Sequence, residues 1–231
     1  MKTVGLIGGI GPESTIEYYR SIIAAYRQRR PDGSAPAILI NSLSVKKLLD
    51  WMDSNRLNEV TDYLLDGLQK LARAGADFGA IAANTPHIVF DDLQRRSPLP
   101  LVSIVEATRD EAKKRGIRRA GLLGTRFTMQ ASFYPEVFSR QGIALAVPHE
   151  DEQSWIHEKY VGELLKDRFL PETRERLQGI IRRMKEQHEI QGVILGGTEL
   201  PLLLRDDTVF GIPLLDTTQT HVQAVVKELL T

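Results

Sequence analysis

Short apolar runs bounded by glycine or polar residues, each followed by a stretch of helical spacing, constrain this chain more than any other feature. Strand-like runs lie at 3–7, 37–41, 78–82, 99–103, 120–123, 143–147, 193–195 and 212–215. Helical patterns lie at 13–27, 56–72, 88–95, 104–115, 131–140, 151–166, 172–187, 200–204 and 218–230. In 56–72, Val60, Tyr63, Leu64, Leu68 and Leu71 recur at helical spacing and form one apolar stripe. Strands alternating with helices call for right-handed crossovers and a mostly parallel sheet covered on both faces. The fold class expected is therefore α/β.

A weak repeat runs through this alternation. Gly5-Leu6-Ile7-Gly8 matches Gly121-Leu122-Leu123-Gly124 at an offset of 116 residues, and GAIAANT (79–85) echoes GVILGGT (192–198) at an offset of 113. Gly-bounded apolar strands look alike in any α/β protein, but two echoes in the same order at nearly equal offset favour two similar α/β halves. Loops at strand ends are where ligands bind in open α/β sheets.

Composition narrows the function classes. Lys plus Arg and Asp plus Glu are 30 each, so the formal net charge is zero and nothing global attracts nucleic acid or an anionic membrane. No apolar run reaches membrane-spanning length, and the start, MKTVGLIGG, is too short an apolar run for a signal peptide. The cytoplasm is the expected location. There are no cysteines, which excludes disulfides, thiolate metal sites and thiol nucleophiles.

Three loops carry candidate chemistry. GLIGGIGPEST (5–15) is a glycine-rich turn between a strand and a helix. It lacks the third glycine of the dinucleotide fingerprint, and no Gly-Lys-Ser/Thr occurs, so a nucleotide reading is poor. Gly9 and the helix start at Pro12 would suit an anion such as a carboxylate, or form only a tight turn. AANTPH (82–87) offers the Asn84 amide, the Thr85 hydroxyl and His87; GGTEL (196–200) offers Thr198 and Glu199. Each threonine taken singly reads first as a helix cap. Their paired occurrence points to a shared small-anion site, to which Thr125 and Thr128 in GTRFTM belong as the first loop of the second half. His87 is a candidate general base, although a lone histidine at a helix start is more often packed or capping. HEDEQSWIHEKY (149–160) has His149 and His157 eight apart, the wrong spacing for a His-Glu-x-x-His metal site, so no metal is expected. Lys47 and Lys166 could supply positive charge to a carboxylate.

Together, GLIGGIGPEST, NTPH with VFDDLQ, LLGTRFTM with a following FY, and LGGTELPLLL resemble the cofactor-independent aspartate/glutamate racemase family over nearly the whole chain. The resemblance implies two pseudo-symmetric, Rossmann-like halves with mostly parallel sheets and the active site in the cleft between them. The first half would take 1–100 with the helix at 216–231, and the second 101–215. It further implies a homodimer, a small acidic amino acid as the partner molecule, and no cofactor, neither pyridoxal phosphate nor metal. The family's reaction is a two-base proton transfer, because inversion needs an acid and a base on opposite sides of one carbon. Its two cysteines fall on Ala83 and Gly197, neither of which can hold a proton. The carboxylate-holding positions carry over to Asn84, Thr85, Thr198, Lys166 and, more weakly, Lys47. The resemblance thus implies an isomerase working through replacement groups such as His87 or Glu199. The alternatives are a non-catalytic binding protein for a small dicarboxylate, or a related lyase or hydrolase.

Overall fold

The computed structural model describes residues 2–231. The chain forms two compact units, one comprising residues up to Ile104 with His221–Thr231, the other Val105–Thr220.

In the first unit the chain runs β1 (Thr3–Gly8), α1 (Pro12–Arg29), β2 (Ala37–Ser42), α2 (Val45–Asp53), α3 (Leu57–Arg73), β3 (Phe78–Ile81), a 3₁₀ turn (Thr85–Val89), α4 (Phe90–Arg96) and β4 (Leu101–Val102). The sheet order is β2-β1-β3-β4, and every pairing is parallel. Strand alternation explains its two covered faces. Val4 and Leu6 point into a core with Tyr18, Ile22 and Tyr26 of α1, and with Val222, Val225, Val226 and Leu229 from the far end of the sequence. Gly5 faces the other way. A methyl group there would lie 3.0 Å from the Cβ of Leu71, so glycine lets α3 pack close on that face.

The second unit is entered through α5 (Ile104–Lys114), followed by β5 (Arg119–Gly124), α6 (Arg126–Gln130), α7 (Phe133–Ser139), β6 (Ala144–Ala146), α8 (Glu150–Gly162), a 3₁₀ turn (Leu164–Lys166), α9 (Pro171–His188), β7 (Gly192–Gly196), α10 (Leu200–Leu203), β8 (Thr208–Val209) and β9 (Ile212–Asp216); α11 (Thr217–Leu229) then carries the chain back into the first unit. The order β6-β5-β7-β9-β8 repeats that of the first sheet over four strands, with β5 in the place of β1 and β7 in the place of β3. All pairings are parallel except β8 with β9. Leu123, Val193 and Leu195 are buried in one core with Ile156 and Tyr160 of α8 and Leu177, Ile180 and Ile181 of α9. No helix among the described residues is long and apolar enough to cross a membrane.

The structure corrects several expected boundaries. The helix expected at 131–140 is α7 alone, beginning at Phe133; a separate α6 that the sequence did not suggest precedes it, the two divided where Ala131 adopts extended backbone. The helix expected over 151–166 stops at Gly162. The segment before α4 is a 3₁₀ turn, and β4 is only two residues long. The sequence reading lacked α2, although Ser44 caps it by accepting the Lys47 N–H, and lacked β8, joined to β9 through Phe210 (φ 51°) and Gly211 (φ 72°).

Candidate functional site

The two loops singled out by the repeat each follow a central strand of a parallel sheet, β3 in one unit and β7 in the other. Central strands end between neighbours, so side chains just beyond them are buried while their backbone is no longer in the ladder.

Beyond β3, Ala83 and Asn84 are buried and Thr85 is partly exposed. No side chain caps the 3₁₀ turn that follows, so the capping role expected of Thr85 is not observed. His87 is fully committed to backbone. Its Nδ1–H donates to the Ala83 carbonyl at 3.1 Å, and its Nε2 accepts the Ile104 N–H at 3.4 Å. Its ring stacks on Phe90, centroids 4.8 Å apart. Burial, and then the nearby His221, push its pKa down to about 3, so the ring is neutral. A neutral imidazole with both nitrogens engaged braces the loop against the start of α5; it has no lone pair left for a substrate proton. His221 is a second brace in the same unit, accepting from the Tyr18 hydroxyl and donating to the Val102 carbonyl, each at 2.9 Å. Burial lowers its pKa to about 4.

The glycine-rich turn after β1 is closed on itself. Gly9 has φ 78°, and its N–H donates to the Thr15 hydroxyl at 2.8 Å. A Cβ at Gly9 would lie 2.3 Å from the Leu43 carbonyl oxygen, so the residue meets a local packing need. Lys47 rests over the rings of Trp51 and Tyr63, 4.7 Å from each centroid.

Beyond β7 the contents differ. Gly197, Thr198 and Glu199 are all buried. The expected capping role of Thr198 is not observed: its hydroxyl donates to the Glu199 carboxylate at 3.1 Å instead. The same carboxylate oxygen accepts the phenol O–H of Tyr160, which arrives from α8, 39 residues away in sequence. Burial, reinforced by the Glu199 charge, raises the Tyr160 phenol well above its ordinary range and keeps it protonated. Gly197 does not have left-handed backbone. What it lacks is room, since a Cβ there would lie 2.4 Å from Cε2 of Tyr160 and 2.8 Å from its phenol oxygen. Local spacing gave no hint of Tyr160, which reads as one more apolar-face residue of a helix.

Thr125 caps α6 by accepting the Thr128 N–H at 3.3 Å. Lys166 is exposed at the end of its 3₁₀ turn. The stretch around His149 and His157 opens α8 with a capping box between His149 and Glu152; no group of three or more metal-ligating side chains occurs among the described residues. A cavity of about 540 Å³ opens in the second unit against Phe169, Arg174, Leu202 and Arg205. None of residues 197–199 lines it.

Comparison with known proteins follows the same outline. The family profile described as Asp/Glu/Hydantoin racemase matches residues 7–225. Over 231 residues the chain is 25% identical to the broad specificity amino-acid racemase of Bacillus subtilis (strain 168), covering 98% of each. A solved aspartate racemase homologue from Pyrococcus horikoshii OT3 is 34% identical with a TM-score of 0.84, covering 100% of both chains. A solved protein of Yersinia pestis, a candidate Asp/Glu racemase, is 30% identical with a TM-score of 0.89, again over 100% of both chains.

Proposed function

The chain belongs to the Asp/Glu/hydantoin racemase family, and from that premise we propose that it moves the α-proton of a small acidic amino acid without pyridoxal phosphate or metal. Membership makes it an isomerase of the racemase type, and the binding-protein, lyase and hydrolase alternatives are not favoured beside the racemases it matches. In this reading Asn84, Thr85 and Thr198 grip carboxylate oxygens of the substrate, and Lys166 and Lys47 add positive charge. The protein works in the cytoplasm as a homodimer.

One observation carries the reading: a buried carboxylate, Glu199, with two hydroxyl donors stands directly after the central strand of the second sheet, beside the position where the family holds a thiol. An α-proton beside a carboxylate is very weakly acidic, so its removal needs a proton acceptor held in position beside it. Neither Ala83 nor Gly197 can exchange a proton, and His87 is engaged by backbone, which leaves the Glu199 cluster as the replacement group. The test is to incubate the protein with each enantiomer of aspartate and of glutamate in deuterated water and follow the α-proton by NMR. Loss of the α-proton signal with at least one of the four is expected. Absence of exchange from all four at saturating concentration would overturn the proposal.

A further inference from the structure

The space over Gly197 is occupied. The edge and the oxygen of Tyr160 stand where any side chain at position 197 would begin, and that oxygen is hydrogen-bonded to Glu199. A glycine and a tyrosine from different elements thus fit each other as a pair: the missing side chain makes the room, and the ring takes it. A residue merely filling a gap has no need of a polar tip, and a polar tip buried in a core has a partner that fixes its direction. Here the partner is the one carboxylate of the loop.

We infer that Tyr160 is a catalytic residue, its phenol oxygen serving as the proton carrier at the β7 loop in place of a thiol at position 197, with Glu199 behind it as the proton store. The inference rests on the function proposed above. Removal of a proton breaks the Cα–H bond and forms an O–H bond at the Tyr160 oxygen, while the phenol's own proton passes to the Glu199 carboxylate. When the isomerisation runs the other way, the same two transfers in reverse deliver a proton to this face of Cα. One proton enters and one leaves the phenol in each direction, so no phenolate accumulates beside the carboxylate. The phenol's strong preference for its protonated form agrees with a carrier that never stands as an anion. Thr198, donating to the same Glu199 oxygen, holds the carboxylate in line. Glu199 acts through the phenol and is a positioning and storage residue.

The experiment compares the wild-type protein with Tyr160→Phe and Glu199→Gln in the deuterium-exchange assay, using whichever of the four amino acids the wild type exchanges, with binding of the same amino acid measured by calorimetry. Tyr160→Phe keeps the ring that fills the space and removes only the oxygen. Exchange is expected to fall by about 100-fold or more, the scale of a lost general acid–base group, with kcat reduced and KM and binding within about threefold by the same account, in which the lost contact matters only in the transition state. Glu199→Gln is expected to do the same, and it carries the test should the phenylalanine variant fail to fold. A folded Tyr160→Phe variant exchanging within threefold of wild type overturns the relay while leaving the proposed function standing, whereas a folded Glu199→Gln variant doing so overturns both the relay and the role given to Glu199 above. A wild type that exchanges nothing overturns both.

Discussion

The loops after β3 and β7 occupy equivalent places in two sheets of the same strand order, yet one is built of backbone contacts and the other of side-chain acids. After β3, the histidine is locked by a carbonyl and an N–H, and position 83 is a methyl group. After β7, a carboxylate collects a phenol and a hydroxyl, and position 197 has no side chain at all. A repeated frame therefore fixes where side chains are delivered without fixing what they do. The first loop is braced by backbone contacts, and the second gathers a buried carboxylate with two hydroxyl donors.

The comparison can be broken most forcefully with acid. His87 and His221 both belong to the first unit, and their folded values of about 3 and about 4 lie below the ordinary value of 6.5. The unfolded chain therefore takes up protons before the folded one. The stabilisation is complete above about pH 6.5 and is lost as pH falls towards 4 and then 3, a change on the order of a few kcal/mol. Urea melts between pH 7 and pH 4 should show it, and hydrogen exchange should place the loss in β1 and β3 before β5 and β7. His221→Gln should flatten the slope. A slope unchanged by that substitution, or opening that begins in the second sheet, would refute the assignment.

A smaller effect separates positions 83 and 197. Gly197→Cys drives a Cβ into the Tyr160 ring, and overpacking of this sort costs about 1–3 kcal/mol. At this chain length each kcal/mol lowers Tm by roughly 2–4 °C. Ala83→Cys, which extends an existing side chain, should cost under about 1.5 kcal/mol. Pairing Gly197→Cys with Tyr160→Ala should recover part of the clash, visible as non-additivity in a double-mutant cycle. Equal melting temperatures for the two single cysteine variants would mean that the Tyr160 ring is not fixed where it stands.

The smallest contrast concerns the two lysines. Lys47, seated on two rings, should lose about 0.5–1 kcal/mol of stability on change to alanine. The exposed Lys166 should lose within about 0.5 kcal/mol of stability by ordinary surface behaviour; its removal should raise KM for an acidic amino acid by no more than about fivefold, the ceiling for an exposed ion pair. Thermal melts and steady-state kinetics on the two alanine variants distinguish them.

Much of the frame was legible because a parallel sheet writes itself as apolar runs, and those runs needed no context to be read. The helices missed or misplaced depend on subtler signals. Ser44 was a workable cap for α2, but it follows β2 so closely that strand and helix merge by eye. The hairpin of β8 and β9 turns on Phe210 at positive φ, where a bulky residue is uncommon and hence unexpected. Within the candidate site, Asn84, Thr198 and Glu199 could be picked out because they stand next to strand ends. Tyr160 could not, since its meaning arises only when α8 is laid over β7. The engagement of His87 was hidden for the same reason, as Ile104 lies 17 residues beyond it.

One feature of the first core bears on how the protein is made. Val222, Val225, Val226 and Leu229 pack against Val4, Leu6 and Phe78, although the whole second unit lies between them in the sequence. During synthesis the earlier segment leaves the ribosome with one wall missing and must wait, its apolar sheet face uncovered, while the inserted segment folds ahead of it. The part of the polypeptide born first is thus the last to be completed.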